Sequence, residues 1–310
     1  MIALLAPGQG SQTPGMLTPW LEVEGAEEQL RKWSEIAKLD LVRLGTTAEA
    51  EEIVDTAVTQ PLVVASALLA YHQLRTRIDL PEDVIVAGHS VGELAAAAIA
   101  GALSADDAVA LAATRGREMA AACALAPTGM AAVLGGEEAD VLARLEELNL
   151  VPANRNGAAQ IVAAGPLEAL TKLAENPPER AKVRALKVAG AFHTQYMAPA
   201  EEALRQQAAG LATHDPEKAL LSNADGGFVT DGAEVLSRLI AQVTRPVRWD
   251  SCQETLAAKN VRAVIELPPA GALTGLAKRT LKGTPTLGLK TPAQLDQVTD
   301  LLNTAAEADQ

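Results

Sequence analysis

Aromatic side chains are scarce in this chain of 310 residues, at 2% of the total. The core must therefore be aliphatic and rich in alanine, and the scarcity argues against the stacking platforms that bind single-stranded nucleic acid. Basic side chains are also few, 26 against 39 acidic ones, for a net charge of −13. This balance argues against nucleic acid and against an anionic membrane surface as partners.

Cysteine is represented by Cys123 and Cys252 alone, and neither lies in a C-x-x-C pair. We therefore expect no disulfide framework and no metal site, only two buried or half-buried thiols. No apolar run is long enough to span a bilayer, and Pro7 and Gly8 interrupt the first apolar segment before it could act as a signal peptide. These absences favour a cytoplasmic enzyme without a membrane anchor.

Gly88-His89-Ser90-Val91-Gly92 reads G-x-S-x-G between an apolar, β-branched run and a run of helix formers. Strand, tight turn and helix is the context that presents a serine hydroxyl at the top of a parallel sheet. Unpaired N–H groups at the start of the helix would face the same point, which suits a nucleophile whose reaction passes through an oxyanion. Taken alone, the pattern equally fits an ordinary helix-entry turn with a capping serine.

The chain alternates between strand and helix signals before and after a central segment. Residues 127–191 read strand, helix, two strands, helix and strand, the order of a ferredoxin-like unit. We predict an α/β fold: a large α/β-hydrolase-like domain with a parallel sheet (residues 1–126 and 192–310), plus an inserted ferredoxin-like subdomain (residues 127–191).

A serine nucleophile needs a base, and four histidines are candidates. His193 follows the last strand of the predicted subdomain, where the chain returns to the large domain and a cleft between the two would lie. His89 points away from Ser90 more easily than toward it, and His72 and His214 lie in polar surroundings typical of exposed side chains. His193 is therefore the preferred base, although its position also fits a structural histidine.

Five separated motifs follow one another along the chain. They are Gly8-Gln9-Gly10-Ser11-Gln12, Gly88-His89-Ser90-Val91-Gly92-Glu93, Arg115-Gly116, Gly190-Ala191-Phe192-His193-Thr194 and Ser222-Asn223. In this order they resemble the motifs of the malonyl-CoA:acyl carrier protein transacylases of bacterial fatty acid synthesis, and of the acyltransferase domains of polyketide synthases. The resemblance extends from residue 2 to about 290, and five motifs in order are far more specific than one.

The resemblance implies that malonyl passes from CoA to the phosphopantetheine thiol of an acyl carrier protein through an ester on Ser90. His193 would act as general base and then as acid, with the backbone carbonyl of Gln242 as its second partner. The backbone N–H groups of Gln9 and Val91 would form the oxyanion hole.

The resemblance also assigns the substrate contacts. Arg115 would bind the malonyl carboxylate, because an arginine fork can hold a carboxylate bidentately. The alternative is a surface arginine, which we expect Arg117 to be. Phe192 would restrict the acyl α-carbon and is also compatible with a core role. Asn154 and Asn223 are further candidates for substrate binding.

The implied partners are malonyl-CoA and an acyl carrier protein. The CoA thioester is a substrate, so no cofactor or metal is expected, and we expect a monomer. Carrier proteins are generally acidic, as this chain is, so docking needs a local basic patch. The candidates are Arg180, Lys182, Arg184, Lys187, Lys278, Arg279 and Lys282. The alternative functions are a serine esterase or thioesterase, and a non-catalytic scaffold that binds carrier proteins.

Two segments depart from the pattern of the family. Where the family has E-V-G-P-G, this chain has Glu266-Leu267-Pro268-Pro269-Ala270-Gly271, so we expect a stiffer or displaced loop near the mouth of the site. Arg245 stands where the family has asparagine in N-P-V-x-W, which puts the contacts of that turn in doubt. Neither departure involves the residues of the expected chemistry.

Overall fold

The computed structural model describes residues 1–307, in which thirteen α-helices and eleven β-strands follow one another. The strands are β1 (Ala3–Ala6), β2 (Ile85–Gly88), β3 (Thr128–Gly135), β4 (Val151–Arg155), β5 (Gln160–Pro166), β6 (Ala181–Ala185), β7 (Ala219–Leu221), β8 (Phe228–Val229), β9 (Val247–Arg248), β10 (Val264–Glu266) and β11 (Thr286–Gly288). The helices are α1 (Ala26–Ala37), α2 (Leu41–Thr46), α3 (Ala50–Ile53), α4 (Thr56–Arg77), α5 (Gly92–Ile99), α6 (Ala105–Cys123), α7 (Glu138–Glu147), α8 (Leu167–Glu175), α9 (Ala198–Ala208), α10 (Gly232–Ala241), α11 (Trp249–Ala258), α12 (Ala272–Thr280) and α13 (Leu295–Glu307). The last three residues of the predicted large domain lie outside this part of the chain.

The larger sheet has the strand order β11-β10-β1-β2-β7-β8. Its strands are parallel except β8, which pairs antiparallel with β7, so the predicted parallel sheet carries one antiparallel edge strand. Alternate residues of the central strands point to opposite faces. Leu4 and Val86 pack in one apolar cluster, and Leu5 and Ile85 pack in another. Both faces of the sheet are therefore buried, as parallel sheets require.

The smaller sheet has the order β6-β3-β5-β4-β9. Its first four strands are antiparallel neighbours from the predicted subdomain, connected by α7 and α8. The fifth strand, β9, comes from the C-terminal part of the chain and pairs parallel with β4. The smaller sheet therefore joins the inserted segment to a stretch of chain that runs between β8 and β10, two strands of the larger sheet. The two residues of β9 are too few to carry a strand pattern in the sequence.

The carboxyl ends of β1 and β2 lie side by side, with Ala6 paired to Gly88. Ligand crevices of open α/β sheets lie outside the carboxyl ends of the strands, and here β1 leads to Gln9 while β2 leads to Ser90. The helices α4 and α6 pack tightly beside this point, since a Cβ at Gly116 would lie 2.7 Å from a backbone oxygen of α4.

Several boundaries differ from the sequence prediction. Gln60-Pro61 in the sequence predicts a helix that opens there, since proline is favoured in a first turn. Instead α4 begins at Thr56, because the side chain of Asp55 caps it by accepting from the N–H of Ala57. The short strands β8, β9 and β11 and the final helix α13 were not predicted. Cys123 is half-buried and Cys252 is buried, both as free thiols, as predicted. Among the described residues, no helix has the length and apolar character needed to cross a membrane.

Candidate active site

The serine of the G-x-S-x-G motif lies on a sharp turn between β2 and α5. Ser90 has a φ of 52°, a left-handed conformation that few non-glycine residues adopt. The turn is tight because glycines flank it: a Cβ at Gly88 would lie 2.1 Å from the carbonyl oxygen of Gly92. The turn places Ser90 in the wall of a cleft above the sheet. The sequence predicts a helix over residues 90–100, and α5 begins at Gly92, two residues later.

We expect Gly92→Ala to lower the free energy of unfolding by about 1–3 kcal/mol, because overpacking forces the backbone apart. The new Cβ would lie 2.3 Å from the carbonyl oxygen of Ala6. Denaturant unfolding followed by circular dichroism measures the change. The matched control is Gly275→Ala in α12, whose Cβ would meet nothing within 4 Å. Its stability should stay equal or rise by up to about 1 kcal/mol. Equal losses in both variants would contradict the packing explanation.

His193 lies directly opposite the serine hydroxyl. Its Nε2 is 2.8 Å from Ser90 Oγ, and its Nδ1 is 2.7 Å from the backbone carbonyl oxygen of Gln242. Because a carbonyl oxygen only accepts, the proton lies on Nδ1 and leaves Nε2 free to take the serine proton. His193 is 3% exposed and has a φ of 61°. The structure thus brings together the nucleophile, the base and the carbonyl that the resemblance implies.

Burial, and after it the positive charge of Arg115, lowers the pKa of His193 to about 3. The imidazole is therefore neutral, and able to accept a proton, even at pH values far below the ordinary pKa of histidine. We expect no loss of kcat/KM for malonyl-CoA as the pH falls from about 7.5 to about 5.5, whereas an enzyme whose base had the ordinary histidine pKa would lose about tenfold. Initial rates at low malonyl-CoA concentration, taken across this pH range, measure kcat/KM. A loss that follows an apparent pKa near 6.5 would contradict the neutral, buried base.

The other histidines have the positions that the sequence predicts. His89 points away from the hydroxyl: its Nε2 is 2.9 Å from Asn156 Oδ1, and its ring meets Trp249 edge-on at 5.5 Å. Burial lowers the pKa of His89. His72 and His214 are exposed. His193 is the histidine that contacts Ser90.

Arg115 is buried beside Ser90, so the surface alternative is wrong for it. The side chain is 2% exposed, and Nη2 lies 3.3 Å from Ser90 Oγ. Nη1 donates to Gln60 Oε1 at 2.7 Å, and Nη2 also donates to Gln242 Oε1 at 3.0 Å. Burial lowers the pKa of Arg115 to about 10, so it stays charged at neutral pH. Arg117 is exposed and pairs with its neighbour Glu118, as predicted for a surface arginine.

Two buried side chains of this network were missed from the sequence. Glu93 is 4% exposed, and its carboxylate accepts hydrogen bonds from the Gln242 side-chain amide and from the Asn223 N–H, the latter at 2.9 Å. Gln60 is also buried, and its Oε1 accepts a hydrogen bond from Nη1 of Arg115. Both stand among apolar helix residues, where a polar side chain signals a buried partner. The sequence does not reveal which partner that is.

Asn223 differs from the expectation that it binds substrate. The side chain is fully buried, with Nδ2 donating to the Gly88 carbonyl at 2.7 Å and Oδ1 accepting from the Ser90 N–H at 2.8 Å. Both of its polar atoms are thus occupied by the turn. Asn223 holds the turn of Ser90 and does not line the cleft.

The expected oxyanion donors, Gln9 and Val91, lie together at the cleft wall. The loop of Gln9 approaches the turn so closely that a Cβ at Gly8 would lie 2.7 Å from the His89 carbonyl oxygen. Within residues 1–307, neither the N–H of Gln9 nor that of Val91 donates to a protein acceptor. Both donors are therefore available to an oxyanion near Ser90.

The cleft between the two sheets has a volume of about 490 Å³. Phe192, 7% exposed, lies in its wall next to His193, where the resemblance assigns it to the acyl α-carbon. Asn154, at the end of β4, also lines the cleft, as a substrate-binding candidate must. The apolar part of the wall includes Met119 and Met130. The expected substrate contacts thus share one cavity, with Asn223 as the exception.

The two departures from the family pattern leave the reacting groups in place. Arg245 meets Gln242 through its backbone N–H, at 3.3 Å from the carbonyl oxygen that also faces His193, and any residue except proline supplies such a donor. At the second departure, the buried Glu266 carboxylate accepts from three backbone N–H groups at the start of α12, at 2.7–3.0 Å. This cap fixes α12, whose first two turns line the cleft.

The fold and the site define an acyltransferase, and the family described as acyl transferase domain matches residues 4–305. A malonyl CoA-acyl carrier protein transacylase of Mycobacterium tuberculosis is 63% identical over 302 residues, which cover 97% of this chain and 100% of the relative. The crystal structure of the enzyme named MCAT from M. tuberculosis matches with a TM-score of 0.94 and 63% identity, over 96% of this chain and 99% of that one.

A malonyl-transacylase solved in complex with its type II PKS acyl-carrier protein matches with a TM-score of 0.88 and 27% identity, over 97% of this chain and 99% of that one. The similarity thus spans nearly the full length of each relative. The chain belongs to the family of malonyl-CoA:acyl carrier protein transacylases.

Proposed function

We propose that the protein transfers malonyl from malonyl-CoA to the thiol of an acyl carrier protein in two steps, through an ester on Ser90. In the first step Ser90 Oγ attacks the thioester carbonyl carbon as its proton passes to His193 Nε2. The C–S bond then breaks, and the same proton goes to the CoA thiolate. In the second step the phosphopantetheine thiol gives its proton to His193 and attacks the ester, and Ser90 leaves with that proton.

One observation carries this function: a buried arginine fork lies 3.3 Å from the nucleophile. A simple ester or acetyl group has no anion to bind there, and a buried guanidinium facing an apolar acyl group would be costly. Malonyl has a carboxylate two bonds beyond the reacting carbonyl carbon. The position of Arg115 therefore supports an acidic acyl group as the substrate.

The base without an acidic partner supports the same class of reaction. His193 is oriented by the carbonyl of Gln242, at 2.7 Å, not by a carboxylate. The resulting imidazolium is less stabilised than in a triad with an aspartate, so it returns its proton readily to a leaving thiolate. The N–H groups of Gln9 and Val91 would hold the oxyanion in both steps.

The competing reaction is hydrolysis by a serine esterase or thioesterase. Incubation with malonyl-CoA, with and without phosphopantetheinylated carrier protein, separates the two. We expect free CoA to appear stoichiometrically with the enzyme when carrier protein is absent, and to turn over when it is present. Rapid, continuous thioester loss that ignores carrier protein would contradict a transferase. No release of CoA at all would favour the non-catalytic scaffold.

The carrier protein approaches the open mouth of the cleft in this proposal. The name of one solved relative describes such a complex with an acyl-carrier protein. The basic residues expected to meet an acidic partner are exposed: Arg180, Lys182, Arg184, Lys187, Lys278, Arg279 and Lys282. Arg279 also lines the mouth of the cleft, which places positive charge where an acidic carrier would arrive.

The finer description of the fold is also an inference. The strand order β6-β3-β5-β4, with α7 and α8 as connections, supports a ferredoxin-like subdomain. The parallel strands around β2 and the turn at Ser90 support an α/β-hydrolase-like larger domain. The monomeric state, the cytoplasmic location and the absence of a cofactor stay predictions.

A further inference from the structure

The buried charges next to the nucleophile are not paired directly. All three hydrogen bonds of the Arg115 guanidinium go to neutral oxygens, of Gln60, Gln242 and Ser90. The side-chain amide of Gln242 lies between Arg115 and the Glu93 carboxylate. Its oxygen accepts from Arg115, and its nitrogen donates to Glu93. Gln242 thus joins the two opposite charges, with its oxygen toward the cation and its nitrogen toward the anion.

This arrangement balances the buried charge of the empty site. Arg115 contributes one positive charge and, above a pKa of about 7, Glu93 contributes one negative charge, and both side chains are almost fully buried. A malonyl carboxylate on Arg115 would add a second negative charge to the same small volume. Since burial makes an uncompensated charge costly, the free energy of the complex is lower if one of the two carboxylates becomes neutral.

Building on the proposed function, we infer that Glu93 is the counter-charge of Arg115 in the empty site and takes up a proton from solvent when the malonyl carboxylate binds. The substrate carboxylate keeps its charge because it bonds the guanidinium directly. Glu93 is one amide removed from that cation, so it is the group that is neutralised. Glu93 is a positioning residue in this scheme, since it acts on the substrate through Gln242 and Arg115.

The surroundings of Glu93 support this assignment. Burial, opposed by its hydrogen bonds and by Arg115, raises the pKa of Glu93 to about 7. Two ionisable groups interact with Glu93: Arg115 and the buried thiol of Cys252, whose pKa burial raises well above the ordinary value; beyond Arg115 lies the neutral His193. Neither of the last two offers a compensating charge at neutral pH. A substrate carboxylate that satisfies Arg115 would therefore raise the pKa of Glu93 further.

Isothermal titration calorimetry of the Ser90→Ala protein tests the inference, because this variant binds the substrate without reacting. Titrations with malonyl-CoA in two buffers that differ in ionisation enthalpy, phosphate and Tris near pH 8 or acetate and MES near pH 5.5, count the protons taken up. Acetyl-CoA is the matched control, since it has the same CoA phosphates and no acyl carboxylate. Near pH 8 we expect malonyl-CoA to take up about one proton more than acetyl-CoA, and near pH 5.5 close to none more.

By the same linkage, the Kd for malonyl-CoA should rise toward about tenfold per pH unit above about pH 7, relative to that for acetyl-CoA. In Ser90→Ala/Glu93→Gln, the extra proton and this pH dependence should both disappear. In Ser90→Ala, which keeps Glu93, equal proton counts for the two ligands at about pH 8 would overturn the inference. A full proton count in the double variant would overturn the assignment to Glu93. Failure of the wild-type protein to load carrier protein would instead contradict the proposed function.

Discussion

Replacing His193 by alanine is expected to slow the acylation of Ser90 by malonyl-CoA about 10³-fold or more. The hydroxyl proton goes to Nε2, 2.8 Å away, and nothing else among residues 1–307 is placed to accept it. Arg115, the other group that contacts Oγ, only donates. Rapid-quench measurement of the malonyl-enzyme burst gives the acylation rate directly, without the carrier-protein step.

His72→Ala and His214→Ala are the matched controls, because both side chains are exposed and outside the cleft. Their acylation rates should equal that of the wild-type protein. If His193→Ala acylated at a similar rate, the imidazole would have a structural role only. Unfolding of His193→Ala by denaturant distinguishes a chemical loss from a loss of fold.

Replacing Arg115 by alanine should lower kcat/KM for malonyl-CoA by about 10²–10³-fold, the loss expected for two charge-assisted hydrogen bonds to a carboxylate. Transfer of acetyl should change far less, because acetyl has no anion to contact the fork. Relative rates with malonyl-CoA and acetyl-CoA in competition measure the change in selectivity. An equal loss for both substrates would mean that Arg115 is not the carboxylate clamp.

Arg115→Lys refines the same test, since it keeps the charge and removes the fork. Lysine cannot bond Gln60, Gln242 and a carboxylate with a planar set of donors. We expect malonyl transfer between that of the wild type and that of Arg115→Ala. Arg117→Ala, on the exposed face of the same helix, should leave both transfers unchanged.

The sequence was sufficient for the parts of the site that depend on local structure. A strand, a G-x-S-x-G turn and a helix determine where Ser90 stands. The return from the inserted segment determines where His193 enters the cleft. The position of Arg115 followed from the resemblance, and the structure adds that it is buried. These features depend on a few neighbouring residues, so a linear pattern contains them.

The missed features depend on contacts between distant segments. Glu93 and Gln242 are 149 positions apart in the chain, and their contact exists only after α5 and α10 have packed. The sequence made Asn223 a candidate for substrate binding, because Ser222-Asn223 matches one of the motifs of the family. Its burial against β2 shows that it supports the turn instead. Periodicity identifies buried faces, and it does not identify which polar groups satisfy one another there.

The same limit applies to the fold. Long, strongly patterned elements can be predicted: the capping Ser104 and the apolar residues after it predict a helix where α6 lies, whereas β8 and β9, of two residues each, have no such pattern. Such short strands form because neighbouring strands offer hydrogen bonds, not because their own side chains favour extension. As a result, the sequence did not reveal that β9, from outside the predicted subdomain, forms an edge strand of the smaller sheet.

Mass spectrometry of the protein after brief exposure to malonyl-CoA tests the covalent intermediate most directly. The wild-type protein should gain the mass of one malonyl group, located by peptide mapping on Ser90, and should lose it when phosphopantetheinylated carrier protein is added. Ser90→Ala should gain nothing. A wild-type protein that stays unmodified while it transfers malonyl, or a modification that persists in Ser90→Ala, would contradict transfer through a Ser90 ester.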